Sequence, residues 1–255
     1  MNNIIYLAVN WVDYPRGSQR SHLQNIAAQS WLKINELHPN VVFVAIGEQK
    51  DLKTAPEFMQ KAAPLHRSSS DVINDNKRLP FLRDILRRLV EYPDKTSPSD
   101  WYGYLNSDII LKRNFMNLFN NLDAAGFTSI ICRADEINIV STLEEAHKAQ
   151  LFTLELSGRD LFMFKYHGAS KLLSQLPDYL IGKPAWDLDA YRILMKETKM
   201  HDDIDSAALT IHMDHERTWR SNESIGSRYN QILYCLKYRL NAPNADGFYT
   251  THMNR

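Results

Sequence analysis

Short uninterrupted apolar runs alternate along this chain with stretches in which apolar residues recur every three or four positions. Residues 4–9 form one such run, rich in β-branched residues and closed by the polar, turn-forming stretch 10–17, the pattern of a strand buried on both faces. From Ser21, apolar positions Leu23, Ile26, Ala27, Trp31, Ile34 and Leu37 trace a helical stripe that stops before Pro39. Residues 41–46 are a second all-apolar strand closed by Gly47. Strand, helix of about five turns and strand make a βαβ unit, whose right-handed crossover sets the two strands parallel.

Residues 50–78 hold no sustained period and predict a long loop with a short helix near 57–63. Pro80 is placed in the first turn of a helix whose core face is Phe81, Leu82, Ile85, Leu86, Leu89 and Val90. Residues 101–105 read as a third buried strand, stopped abruptly by Asn106-Ser107-Asp108, with apolar residues resuming at 109–111. The second half alternates less regularly. It predicts helices at 115–122 and 188–196, strands at 129–132, 161–164 and 207–211, and a last helix carrying Ile225, Tyr229, Ile232, Leu233, Leu236 and Leu240. No internal repeat or composition shift marks a second domain. The expected fold is a single α/β domain over 1–255, with a mixed, mostly parallel sheet and helices on both faces.

A chain of 255 residues is expected to bury roughly 73% of its unfolded surface, enough for one sizeable core. Thirty basic residues balance thirty acidic ones. Nucleic acid or anionic membrane held by bulk charge is therefore disfavoured, which leaves a local patch, or nucleic acid as an acceptor, open. The two cysteines, Cys132 and Cys235, lie in apolar runs and read as buried free thiols, which suits a reducing compartment. The start of the chain lacks a basic leader and no segment is apolar enough to span a bilayer, so the expectation is a cytoplasmic protein.

In open α/β sheets ligands collect at the carboxyl ends of the strands, which directs attention to the stop at Asn106-Ser107-Asp108. An Asp fixed there suits a hard divalent cation that keeps positions open for phosphate oxygens and water; a polar turn is the plainer alternative for three residues alone. The wider stretch, Trp101-Tyr-Gly-Tyr-Leu-Asn-Ser-Asp-Ile-Ile-Leu111, resembles the aspartate motif of GT-A-fold nucleotide-sugar glycosyltransferases, in the group that writes it N-S-D-I or N-A-D-I. The likeness runs in order from the Gln24 to Trp31 helix through Asn76-Lys-Arg-Leu-Pro80, Gly158-Arg-Asp-Leu-Phe162 and Trp186-Asp187 to His212-Met-Asp-His215, about residues 4–216.

The resemblance implies a Rossmann-like GT-A domain that moves a sugar from a nucleoside-diphosphate donor, a UDP-sugar first, to a hydroxyl of a glycan or other acceptor. It divides the chain into a nucleotide-sugar-binding half (1–111), an acceptor and catalytic half (112–216) and a C-terminal helix and tail (217–255). Asp108 becomes the ligand of Mn²⁺ or Mg²⁺, with His212 or His215 completing the metal or diphosphate contacts. Imidazole favours Mn²⁺ over Mg²⁺. Asn106 stands where the usual motif has its first Asp and, carrying no charge, suits a ribose or water hydrogen bond better than a metal. Val9, Asn10, Ser107 and the loop Asn76-Lys77-Arg78 fall with the donor-binding residues; an exposed basic loop is the alternative for the last. Gly158 and Arg159 would approach the donor sugar, where a glycine admits what a Cβ would block. Asp160 would bind sugar hydroxyls or act in catalysis. Trp186 would stack on an acceptor sugar, and Asp187 would take the acceptor proton or, more simply, cap the following helix.

Two other classes stay open: a non-catalytic nucleotide- or carbohydrate-binding module on the same fold, and a nucleotidyltransferase. The second calls for a glycine-rich basic loop after the first strand, and residues 10–20 hold one Gly and two Arg.

Overall fold

In the computed structural model, residues 3–74, 77–150, 153–154, 159–202, 209–215 and 224–240 are described. The apolar runs do form the sheet centre: β1 (Ile5–Asn10), β2 (Val41–Ile46) and β4 (Trp101–Leu105) are parallel neighbours with β1 in the middle. Alternate residues of these strands feed two cores. Leu7, Phe43 and Trp101 enter one and Ala8, Val44 and Tyr102 the other. That two-sided burial is why the strands lack the polar alternation of a one-sided sheet.

The large sheet runs β10 (Met200–Asp202), β6 (Ser129–Cys132), β9 (Leu161–Lys165), β4, β1, β2, β3 (Gln60–Lys61). Only β9 runs antiparallel to its neighbours, β4 and β6. Helix α1 (Gln19–Leu37), capped by the Ser18 hydroxyl, covers one face. Helices α3 (Leu82–Glu91), α6 (Tyr166–Gln175) and α7 (Trp186–Glu197) cover the other. The expected single α/β domain, with a mostly parallel mixed sheet and helices on both faces, is the one found.

A second sheet of four strands, β5 (Ile109–Leu111), β11 (Thr210–Met213), β7 (Ala134–Ile137) and β8 (Thr153–Leu154), stands at the carboxyl end of β4. Helix α1 ties it to the rest. The Trp31 indole donates to the Ile109 carbonyl at 2.9 Å and the Leu111 amide donates to Ser30 Oγ at 3.0 Å.

Several expectations are corrected. The helix placed near 57–63 is instead the edge strand β3, reached through one helical turn, α2 (Gln49–Leu52). Pro80 precedes α3 rather than starting it, because Phe81 takes the extended N-cap conformation and bridges to Leu180. The strand expected at 207–211 is described only from Thr210 and runs on through His212 to Met213. Strands β7 and β10, helix α5 (Leu143–Lys148) and helix α6 carry no signal in the periodicity reading.

Helix α8 (Ile225–Tyr238) fastens the segment before α7. Asn230 Oδ1 accepts from the Leu180 amide at 2.8 Å, while its Nδ2 donates to the carbonyls of Leu180 and Pro184 at 2.9 and 3.0 Å. Asp189, fully buried in α7, accepts from Lys237 Nζ at 2.7 and 2.8 Å and from the hydroxyls of Tyr179 and Tyr238. A carboxylate with that many donors is a tolerable buried charge.

Close packing at the strand that leads to Asp108 gives a direct test. A Cβ on Gly103 would lie 2.7 Å from the Phe162 carbonyl oxygen and 2.7 Å from Leu7 Cδ2. Because one of these atoms is backbone of β9, Gly103→Ala is expected to lose about 1–3 kcal/mol. Urea unfolding should show this as a lower midpoint at unchanged slope; an unchanged midpoint would mean that β4 and β9 can separate freely.

Candidate functional site

The large cleft opens where β1 and β4 end. Its volume is about 550 Å³, and its wall is formed by the ends of these strands, the small sheet, the turn before α3 and the start of α7. Strand register assembles the polar floor. In the antiparallel pair β11–β5, His212 sits opposite Ile109, the residue after Asp108. In the parallel pair β11–β7 it sits opposite Glu136.

Asp108 Oδ2 consequently lies 3.1 Å from His215 Nε2 and 3.8 Å from His212 Nε2, and the two imidazole nitrogens are 3.2 Å apart. Arg20, in the first turn of α1, reaches Asp108 Oδ2 at 3.5 Å and His215 Nε2 at 3.4 Å. Among the described residues, Asp108, His212 and His215 form a group able to hold a metal ion, one ligand atom each, all within 4.8 Å. Ligand atoms about 2.1 Å from one ion at adjacent octahedral positions stand about 3 Å apart. The separations of 3.1 and 3.2 Å match such a centre and the 3.8 Å between Asp108 and His212 is wider, while one carboxylate with two imidazoles suits Mn²⁺ better than Mg²⁺. The sequence reading asked for one of the two histidines; the geometry brings both to Asp108.

The electrostatics divide the carboxylates of the cleft. Burial alone would raise the Asp108 carboxyl, but hydrogen bonds and charge from His212 and His215 outweigh it and hold it well below the usual carboxylate range. Burial likewise disfavours the His212 imidazolium, yet Asp108, with Asp160 and Asp214 behind it, holds that ring above its ordinary value. Asp160 and Asp187 go the other way. Burial pushes Asp160 up, aided by the negative charge of Asp108 and opposed by His212 and by the amide of Asn106, which donates to Asp160 Oδ1 at 3.1 Å. Burial also raises Asp187, against the opposing charge of Arg159 and the backbone N–H groups of Leu188 and Asp187 itself.

The other expected residues fall as follows. Asn10, Ser107, Lys77 and Arg78 line the cleft. Arg78 takes a left-handed φ of 49° and its Nε donates to Glu48 Oε1 at 2.7 Å, joining two loops at the rim. Val9 is fully buried in the core beneath α1, so the end of β1 offers Asn10 instead. Arg159 lines the cleft with its guanidinium 3.9 Å above the Tyr191 ring and 3.9 Å from Asp202. Trp186 lines the cleft but is only 6% exposed, with its ring against Tyr104 and Phe162. Asp187 is not the N-cap: that place belongs to Ala185, held at φ 83°, and Asp187 lies in the first turn of α7. Asn76 and Gly158 lie outside the described residues.

Arg20, Tyr14, Glu136 and Lys183 also line the cleft and were not singled out as site residues in the sequence. The only available signal was position: Tyr14 and Arg20 follow the end of β1, where ligands of such sheets collect.

Neither a protein-family model nor a curated protein matches the chain in sequence. Solved structures match it in fold. The structure of Staphylococcus aureus TarS 1-349 superposes over 97% of this chain and 74% of that one, with a TM-score of 0.50 and 9% identity. A putative glucose-1-phosphate thymidylyltransferase from Bacillus anthracis, in complex with sucrose, covers 95% and 98% with a TM-score of 0.45 and 8% identity. The 2-C-methyl-D-erythritol 4-phosphate cytidylyltransferase of Francisella tularensis covers 84% and 95%, with a TM-score of 0.42 and 8% identity. At such identities the first of these establishes a shared fold. No helix of the described residues is long and apolar enough to cross a membrane.

The shifts at Asp108 and His212 give a pH signature in chelator-treated protein. A depressed Asp108 contributes stability that is present above the ordinary carboxylate range and lost as pH falls through its folded value. A raised His212 contributes stability that is complete below its unfolded value, about 6.5, and lost as pH rises through its folded value. Stability should therefore decline on the alkaline side of about pH 6.5, and Asp108→Asn should shrink that decline by removing the main group that raises His212. Urea midpoints across that range check this; an identical alkaline decline in the variant contradicts the coupling.

Proposed function

We propose that this protein is a metal-assisted glycosyltransferase that moves a sugar from a nucleoside-diphosphate sugar to a hydroxyl acceptor. The observation that carries the reading is the convergence of Asp108, His212 and His215 on one wall of a cleft that also holds two carboxyls of raised pKa, Asp160 and Asp187. Asp108, His212 and His215 would hold a divalent cation, Mn²⁺ before Mg²⁺, and a cation there supplies charge compensation to a departing diphosphate.

The chain's own residues supply the rest. Asn10, Ser107, Lys77 and Arg78 border the region for the donor nucleotide, with UDP-sugars the first donors to test. Asp160, bridged to Asn106, accepts hydrogen bonds from donor-sugar hydroxyls. Asp187 accepts the acceptor proton. Its burial makes the carboxylate a stronger base than an exposed aspartate, a rise that Arg159 and the backbone N–H groups of the first turn of α7 oppose. The absence of a glycine-rich basic loop in residues 10–20 favours sugar transfer over nucleotidyl transfer.

Asp108→Asn keeps nearly the same shape but removes the anionic ligand. Calorimetric titration with UDP in Mn²⁺ is expected to show donor-nucleotide binding lost in the variant at an unaltered fold; unchanged affinity would remove the metal from the proposal. Slow, Mn²⁺-dependent release of nucleoside diphosphate by the wild type is expected of an enzyme, whereas binding without turnover would indicate a binding module.

Asp187→Asn separates chemistry from architecture. A carboxyl raised by burial destabilises the native state when ionised, so the amide is expected to melt at the same temperature or higher. Transfer should fall by about 10² or more with donor hydrolysis retained. Full transfer in the variant would deny Asp187 the role of base.

A further inference from the structure

One buried carboxylate of the cleft has no part in the scheme above. Glu136 is 7% exposed, in the middle of β7, directly across the parallel pair from His212. Strand alternation separates it from its neighbour Asp135, which pairs with Lys112. Glu136 Oε1 lies 3.8 Å from His212 Nδ1, while Nε2 at the other end of the same ring faces Asp108 at 3.8 Å and His215 at 3.2 Å. The imidazole thus has a carboxylate at each ring nitrogen, Glu136 from strand β7 and Asp108 from the turn that leads into β5.

We infer that Glu136 is a positioning residue of the cation site: it takes the Nδ1 proton of His212 as a hydrogen bond and so keeps the Nε2 lone pair aimed at the cation beside Asp108 and His215. The inference rests on the metal reading of that cluster. Its physical basis is the distinctness of the two ring nitrogens, where the partner of one decides which is free to ligate. At 3.8 Å the apo contact is an ion-pair distance rather than a hydrogen bond. A cation on Nε2 makes the Nδ1–H a stronger donor and draws it toward the carboxylate.

The test uses Mn²⁺ alone, with no nucleotide, and reads the free-ion EPR signal. Glu136→Gln is expected to weaken Mn²⁺ binding by about 10 to 100-fold, the usual effect of removing an outer partner of a ligating histidine. Its melting temperature in chelator should stay close to wild type. In a His212→Ala background the same change should have almost no further effect, because Glu136 acts through that ring. Affinity in Glu136→Gln within twofold of wild type, or an equal loss in both backgrounds, would overturn the inference. Histidine-ring ¹⁵N spectra of wild-type protein with Cd²⁺ bound give a second measurement that needs no variant to fold. The His212 proton is expected on Nδ1, and a proton on Nε2 would overturn the assignment. Wild-type protein that binds no Mn²⁺ would instead bring down the cation site itself, and Glu136 with it.

Discussion

The structure turns on one electrostatic constraint: an aspartate and two histidines held with their facing oxygen and ring nitrogens 3.1, 3.2 and 3.8 Å apart, half-buried in the wall of the cleft. Removing a carboxylate from water is costly unless opposite charge or donors replace the solvent, and here His212, His215 and Arg20 do so. Apart from His212 and His215, which are three positions apart, none of the four is near another in the sequence. Asp108 lies in the turn between β4 of the large sheet and β5 of the small one, His212 and His215 come from β11 and the residues after it, and Arg20 comes from α1. Two sheets must dock correctly for the cluster to exist. The two buried links from α1 to the backbone of β5, through Trp31 and Ser30, fix that docking.

The same burial has opposite consequences a few residues away. Asp108 has imidazoles beside it and titrates low; Asp160 and Asp187 have weaker compensation and titrate high. Environments that separate the pKa values of neighbouring carboxyls distribute them between ligand and proton acceptor. The negative charges of Asp108 and Asp187 add to the rise that burial gives Asp160. The left-handed backbone at Ala185, an uncommon conformation for a residue with a Cβ, sits directly before the turn that carries Asp187.

What could be read from the sequence follows from where the free energy lies. Strands β1, β2 and β4 are apolar throughout because both faces are covered, so local composition reveals them, and with them the strand stop at Asp108. Strand β7 is different. Two of the four residues in Ala134–Ile137 are acidic, and Lys112 and His212 lie beside them, partners that local pattern cannot disclose. Helix α6 is obscured by Gly168, a poor helix former kept where a Cβ would sit 2.8 Å from Phe164 Cβ. Trp186 borders the cleft, as a tryptophan beside an acidic residue suggests, but its packing against Tyr104 and Phe162 comes from strands distant in sequence and has no local signal. The pairing of both histidines with Asp108 depends on the β11–β5 register, which no spacing rule supplies.

The central claim is that these three side chains form a cation site. The most direct measurement is an anomalous-difference map from crystals soaked in Mn²⁺ without nucleotide. The account predicts one strong peak about 2.1 Å from Asp108 Oδ2 and from Nε2 of both His212 and His215. A map with no peak at that position, in crystals shown to contain Mn²⁺ elsewhere, would contradict it.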